Sequence, residues 1–279
     1  MIWELRHEHK IGLLIEIADI PRSTYYYYSK QFDHPKPDRY AEIKTEIRRI
    51  YDESKGRYGY RRITKELKKK FVVNHKTVQK LMRKMGIFCR VRMHKYNSYK
   101  GDVGRIAPNL LERDFKADKP NQKWVTDVTE FKVAQQKFYL SPVMDLYNGE
   151  IVAYEAASRP SYDLVGNMLD KALACLGDDP KLVIHSDQGW QYQQAKYRHK
   201  LKQHGVRQSM SRKGNCLDNA AMESFFGTLK SEFFYLKRFE SIDELRAGLD
   251  EYIHYYNHDR IKLRLNGLSP VEYRAQAAA

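Results

Sequence analysis

The sequence predicts a mixed α/β domain preceded by an all-α, strongly basic front, and three observations predict it. Residues 1–119 hold 29 Lys and Arg against 15 Asp and Glu, a net of +14, whereas residues 120–279 hold 21 against 20, a net of +1. Hydrophobic spacing is helical up to about residue 89 and turns to strand-like runs from Asn121. Beyond that point the elements read three strands, helix, strand, helix, strand, helix, which is an α/β order with a mixed sheet.

The front divides into a helical hairpin over 1–33, a helix-turn-helix region over 38–89 and a basic linker over 90–120. Leu5 to Ala18 has apolar residues at helical spacing, Asp19-Ile20-Pro21 forms a turn, and Arg22-Ser23-Thr24 opens a second short helix through Tyr25–Tyr28. Four consecutive tyrosines cannot share one buried face; some are expected against the first helix and others toward DNA or a partner. After His34-Pro35-Lys36-Pro37, residues 39–53 repeat apolar positions at Ile43, Ile47 and Ile50. Gly56 and Gly59 bracket a turn, Arg61 to Lys70 reads as a basic helix, and Asn74 caps a helix over His75–Met85 that Gly86 ends. That last helix leaves Val78, Leu81 and Met85 for a core and presents Lys76, Gln79, Lys80, Arg83 and Lys84, as a groove-reading helix would. A solvated basic face on a small bundle has the same pattern. Residues 90–120 lack periodicity and carry Gly101, Gly104, Pro108 and Pro120, so they read as a linker that tracks along phosphates.

Composition narrows the function. A chain of 279 residues fits two or three modules. Its three cysteines, Cys89, Cys175 and Cys216, form no CxxC pair, which argues against a zinc finger or a disulfide framework and for a reducing compartment. No apolar run approaches the ~20 residues that span a bilayer, and the charged N-terminus MIWELRHEHK lacks a signal-peptide core. A soluble cytoplasmic protein is expected. A basic front on a balanced rear fits electrostatic binding of nucleic acid; a solubilising surface, or attraction to ribosomes or lipid, is the plainer alternative.

From residue 121 to 279 the runs QKWVTDVTEF, KFYLSPVMDLY and EIVAYEAAS read as an antiparallel meander. A helix over Ser161–Leu176, the strand KLVIHSDQG, a helix from Gln194 to His204, the strand VRQSMS, the loop RKGNCLDN and a long helix from Ala220 to about Phe234 follow. The tail has one more helix from Ile242 to about Asn257 and a loop through NGLSPVEYR. Asp127 lies mid-strand, Asp187 at a strand end where an open sheet presents its ligand site, and Glu223 near a helix start. Three such carboxylates can converge at one sheet edge as an all-oxygen site for Mg²⁺ or Mn²⁺. Two ions about 3.5–4 Å apart support in-line phosphoryl transfer. Lys230, nearly two helical turns after Glu223, shares its helix face about 10 Å away. Singly, each acid has an ordinary reading: a cross-strand pair, a turn, an ion pair along a helix. Asp145 and Glu130 are expected in turn and surface roles, Trp124 in the core, and His185 as a strand-end histidine or a hydrogen-bond donor behind the acids.

The strings WVTDVTEF, VIHSDQGWQY and SMSRKGNCLDNAAMESFFGTLKSE resemble the catalytic blocks of insertion-sequence transposases with a retroviral-integrase-like core, specifically the second-reading-frame (OrfB) type with 35 residues between its last two acids. Residues 188–222 number 35 here. RYGYRRITKEL resembles the helix-turn-helix block upstream of that core, and YNHDRIKLRLNGLSPVEYR the C-terminal signature; the likeness runs over about 38–275. It implies a ribonuclease-H-like core with a mixed five-stranded sheet and flanking helices. It implies that Asp127, Asp187 and Glu223 bind the metal, Mg²⁺ or Mn²⁺, with two ions per site, and that Lys230 contacts transposon-end DNA. DNA contacts are also expected from Arg61, Arg62, Lys76, Lys80 and Arg83. His185, Gln188, Gly189, Asn215 and Asn219 match family blocks and are expected to shape the site.

The expected function is cleavage of transposon ends and transfer of 3′-hydroxyl ends to target DNA, by a homo-oligomer on double-stranded DNA in the bacterial cytoplasm, associated with the nucleoid. A DNA-binding repressor with a degenerate core, or a ribonuclease-H-like nuclease acting on RNA–DNA hybrids, are the competing readings. In the family this frame is often fused to an upstream frame that supplies another helix-turn-helix and a coiled coil. No heptad run of three repeats is present, so weak or poorly specific DNA binding is expected of the chain alone.

Overall fold

Helices come first in the chain because its periodic apolar positions come first. The computed structural model describes residues 2–33, 37–91, 106–176, 181–212 and 216–278. Residues 1–49 and 50–279 form two units and are treated separately. In the first, α1 (Ile2–Leu5), α2 (Ile11–Ile17) and α3 (Arg22–Asp33) precede α4 (Ala41–Glu53). The single helix expected over Leu5–Ala18 is broken, because the run Arg6–Lys10 offers no apolar side chain for any helical face to bury. Of the four tyrosines in α3, Tyr25 is buried and Tyr26, Tyr27 and Tyr28 are exposed.

The second unit begins with α5 (Tyr60–Leu67) and α6 (His75–Lys84), which bury Ile63, Leu67, Val78, Leu81 and Met82. Asn74 caps α6 by accepting the Lys76 N–H (2.9 Å), and Gly86 ends it at φ +66°. This basic pair of helices is joined to the tail of the chain. Tyr58 Oη donates to the Asp259 carbonyl (3.2 Å) and accepts the Ile261 N–H (3.1 Å), and Arg62 reaches Glu232 (3.2 Å).

The sheet contains β1 (Lys123–Thr126), β2 (Thr129–Val133), β3 (Gln136–Asp145) and β4 (Ile151–Ala157). After α7 (Tyr162–Leu173) come β5 (Val183–Ser186), α8 (Ala195–Gln203), β6 (Arg207–Met210) and α9 (Ala220–Glu232). β3 pairs antiparallel with β4 on one edge and with β1 and β2, end to end, on the other; β1 pairs parallel with β5, and β5 parallel with β6. Six segments therefore make five ranks. The strand expected through WVTDVTEF is interrupted at Asp127–Val128, although its register against β3 is unbroken: Thr126 faces Val143 and Thr129 faces Leu140. That register sets Asp127 opposite Pro142, which has no N–H to give a ladder. The Val128 N–H turns instead to Asp127 Oδ1 (2.7 Å).

Alternation along these strands loads two cores. Val125, Phe131, Phe138, Leu140 and Met144 face α9 and α10 (Ile242–His258), and Trp124, Val143 and Ile184 face α7 and α8. Trp124 is thus a core residue. Asp145 is fully buried rather than at the surface. It accepts the N–H groups of Asn121 (2.9 Å) and Tyr147 (3.0 Å) and pairs with Arg274 of α11 (Pro270–Ala278). Glu130 is exposed and pairs with Lys137 (3.0 Å).

Two expected irregular stretches are ordered differently. NGLSPVEYR leads into α11 through a capping box: Glu272 N–H donates to Ser269 Oγ (3.3 Å) and Ser269 N–H to Glu272 Oε2 (2.8 Å), with Pro270 in the first helical position. Of the linker expected over 90–120, residues 92–105 lie outside the described residues. The remainder is fixed to the core: Leu111 is buried in it, the Leu110 N–H donates to Ser209 Oγ (2.8 Å), and Met210 N–H reaches the Pro108 carbonyl (3.3 Å). Covering the outer edge of β6 in this way satisfies polar groups an exposed edge strand would leave open. No helix among the described residues is long and apolar enough to cross a membrane.

Candidate active site

Parallel pairing brings the two aspartates together. Val125 stands beside His185 and Trp124 beside Ile184, so two residues further along Asp127 and Asp187 emerge side by side, from strands about 4.8 Å apart. Both are half-buried where their strands end. Burial, and then the negative charge of Asp187, push the Asp127 carboxyl well above the usual carboxylate range, with Glu223 adding to the rise and the Val128 N–H and Lys230 opposing it. Burial likewise raises Asp187, opposed by the N–H of Gly189, which its Oδ1 accepts at 2.8 Å. A Cβ at Gly189 would come within 2.9 Å of Asp187 Oδ1 and Gln191 Oε1, so a larger residue there would displace the Asp187 carboxylate. Neither aspartate is ion-paired among the described residues.

Glu223 sits in the first turn of α9, half-buried, its carboxyl raised by burial. Its field reaches Asp127. Among the described residues no three His, Cys, Asp or Glu side chains lie close enough to hold one ion, so the fold joins Asp127 with Asp187 and leaves Glu223 outside that pair. The start of α9 is tethered to β1 by Asn219, whose Nδ2 donates to the Thr126 carbonyl (3.3 Å), one residue before Asp127. Lys230 is half-buried, with its ammonium 5.5 Å from the centre of the Phe131 ring. Burial lowers its pKa, while Glu130 and Asp127 pull it back up.

His185 does not serve the acids directly. It is fully buried with Nδ1 2.8 Å from Ser209 Oγ and Nε2 3.1 Å from Ser211 Oγ, and burial lowers its pKa to about 4, so the ring is neutral. Gln188 donates to the Ser211 carbonyl (2.9 Å), which ties the Asp187 loop to β6. Asn215 lies outside the described residues. Two contributors escape a sequence reading. Tyr192 is buried beneath the acids, its hydroxyl 3.4 Å from Thr126 Oγ1, its pKa raised by burial and by both aspartates. Asp218, also fully buried, binds Arg212, Arg113 and Asn109. Only their positions in the VIHSDQGWQY and NCLDN blocks signal them.

The expected DNA-contacting residues divide. Arg61, Lys76, Lys80 and Arg83 are exposed on α5 and α6. Arg62 is placed differently: its side chain is 21% exposed and paired with Glu232, which is buried and bound in two places by Arg260 (2.7 Å each).

A five-ranked mixed sheet with two aspartates at the ends of neighbouring central strands and a third carboxylate at a following helix has the architecture expected of an integrase-type core. An integrase core domain family matches residues 117–216, a second integrase core domain family 223–277, and an HTH-like domain 38–95. The chain is 53% identical to the IS150 InsK transposase of Escherichia coli strain K12 over 98% of this chain and 96% of that one. It is 36% identical to the transposase InsF for insertion sequence IS3A of the same organism over 80% of this chain and 78% of that one. A solved structure of the HTLV-2 integrase catalytic core with magnesium is 17% identical, with a TM-score of 0.46 over 56% of this chain and 98% of that one. The chain belongs to the insertion-sequence transposases with an integrase-like core, and it is a DNA transposase of the DDE type.

Proposed function

We propose that Asp127 and Asp187, with Glu223 from α9, hold divalent metal, Mg²⁺ or Mn²⁺ with two ions per site, and that the chain cuts transposon ends and joins their 3′-hydroxyls to target DNA. One observation carries this reading: two carboxylates side by side, both raised by burial and one of them by the other's charge, with no cation paired to them among the described residues. Such a pair is an all-oxygen donor set in want of positive charge, which suits a hard divalent ion. When bound, the metal supplies activation of the attacking water or 3′-hydroxyl and stabilisation of the leaving 3′-oxygen.

The chain's own residues do the rest. Gly189 and Val128 N–H groups fix the aspartate rotamers. Tyr192 closes the protein side of the site against water. Asn219 holds the start of α9, and so Glu223, near Asp127. Lys230 offsets negative charge at the acids and meets a phosphate of the transposon end. Lys76, Lys80 and Arg83, spaced four and three residues apart, share one face of α6, and with Arg61 they bind the DNA backbone. Arg62 instead supports the junction with Glu232. The working form is a homo-oligomer on double-stranded DNA at the bacterial nucleoid, acting with, or fused to, the product of an upstream frame.

The test is strand transfer of a labelled 3′-end with purified protein and Mg²⁺. Asp127→Asn, Asp187→Asn and Glu223→Gln should each abolish joining while DNA binding survives; joining at the wild-type rate by any of them would sink the assignment. Hydrolysis without joining by the unmodified chain would point to a nuclease, and binding without any nicking to a repressor.

A further inference from the structure

The outer edge of β6 carries a charged arrangement outside the acid pair. Asp218 has a fully buried side chain surrounded by donors: Asn109 Nδ2 (3.1 Å), the Arg212 N–H (3.0 Å), Arg212 Nε and Nη2 (3.0 Å each) and Arg113 Nε (3.0 Å). The two arginine side chains nevertheless remain 46% (Arg113) and 59% (Arg212) exposed. With Asn109 and Glu112 they line a cleft of about 460 Å³. Arg113 arrives through two successive non-glycine residues in the left-handed region, Glu112 at φ 47° and Arg113 at φ 67°, with Asn109 Oδ1 accepting the Glu112 N–H (3.0 Å). Strained backbone of this kind persists where the surroundings fix it for a purpose.

The cleft also opens at the acids' end of the sheet. Arg212 follows Ser211, whose carbonyl takes the side chain of Gln188, the residue after Asp187. Neutralising one aspartate requires one guanidinium, yet two are held here. Binding at Nε fixes each plane and leaves outward N–H donors on Arg113 and on Arg212 Nη1, in the fork geometry that suits phosphate oxygens. Glu112 at the rim offsets one positive charge, so the arrangement acts by directed donation rather than by net field.

We propose that Arg113 and Arg212, locked together on Asp218, grip a backbone phosphate of the DNA strand led to Asp127 and Asp187, without regard to base sequence. The proposal rests on the reading of these acids as the DNA-processing centre. It is tested by binding alone: a labelled duplex of arbitrary sequence, titrated with the full chain in metal-free buffer over a range of salt concentrations. Each of Arg113→Gln and Arg212→Gln should lower the slope of log K against log salt by about 0.9, the loss of one phosphate contact, measured below the melting temperature of the variant. If Arg212→Gln does not fold, Arg113→Gln decides by itself, because Arg212 keeps its two side-chain bonds to Asp218. Unchanged slope and affinity in Arg113→Gln would overturn the grip and leave both arginines as anchors of Asp218. Joining does not enter this measurement, so the grip can fail while the triad variants still abolish strand transfer, and the reverse failure is equally visible.

Discussion

Glu232→Gln should destabilise the protein far more than an ordinary charge deletion. Glu232 is 4% exposed, and both its carboxylate oxygens are occupied: Oε2 by Arg260 Nε (2.7 Å) and Tyr252 Oη (3.2 Å), Oε1 by Arg260 Nη2 (2.7 Å) and Arg62 Nη1 (3.2 Å). Burial pushes this carboxyl up, but the bonds and charges of Arg260 and Arg62 outweigh it and leave the pKa below its usual value. Glutamine keeps the shape but turns an amide N–H₂ toward a guanidinium and leaves Arg260, itself buried, without its counter-charge. Breaking one partner of a buried pair costs about 3–5 kcal/mol. In a unit of this size that is a fall in melting temperature of roughly 10 °C. Because the folded pKa is the lower one, this stabilisation is complete above the unfolded-state pKa of about 4.5 and is lost as pH falls through the folded value. Thermal and urea unfolding at neutral pH should be compared with Glu130→Gln, which breaks the exposed pair with Lys137 and should cost under about 1 kcal/mol. Arg62→Ala, which leaves Arg260 in place, should cost about 1–2 kcal/mol and leave the salt slope of DNA binding unchanged. A loss below about 1 kcal/mol for Glu232→Gln would refute the reasoning.

Two further predictions concern pH and metal. His185 has its pKa lowered by burial from 6.5 to about 4, so the unfolded chain takes up a proton first as pH falls. Its stabilising contribution is full above pH 6.5 and shrinks toward pH 4, by about 2 kcal/mol between pH 7.5 and 5. Urea unfolding at both pH values, against His185→Asn, checks this; an equal pH dependence in the variant would count against it. Asp127 has a raised folded pKa, so its ionisation opposes folding at neutral pH. Asp127→Asn in chelator should therefore be more stable than wild type. Added Mg²⁺ should raise the melting temperature of wild type and not of the variant. A variant less stable than wild type in chelator, or equally stabilised by Mg²⁺, would show that the acids are not a strained, cation-seeking pair.

Much of the architecture is written in local pattern. The α6 helix follows from Asn74, its apolar spacing and Gly86; α7 to α10 follow from periodic runs between strong turn signals; the resemblance picks out Asp127, Asp187 and Glu223. Some local information is present but easily passed over. Ser269, Pro270 and Glu272 spell a capping box, yet α11 reads as loop when the eye follows the preceding Asn-Gly. Likewise the break at Asp127 depends on Pro142, fifteen positions away, and becomes meaningful only once the register is known.

By itself, then, the sequence determined the order of elements, the charge division between front and rear, and that Asp187 ends a strand and Glu223 starts a helix, because these depend on neighbours within a few turns of the chain. The tertiary structure alone decided which charges face one another. It set Asp127 beside Asp187 through parallel pairing, took Arg62 from the basic face into a pair with Glu232, 170 residues on, buried Asp145 against Arg274, and fastened residues 106–113 along β6. A charged side chain looks alike in sequence whether it meets solvent, a phosphate or a buried counter-charge. Its surroundings are assembled from distant segments, and the cost of leaving a charge unpaired away from water decides among those outcomes.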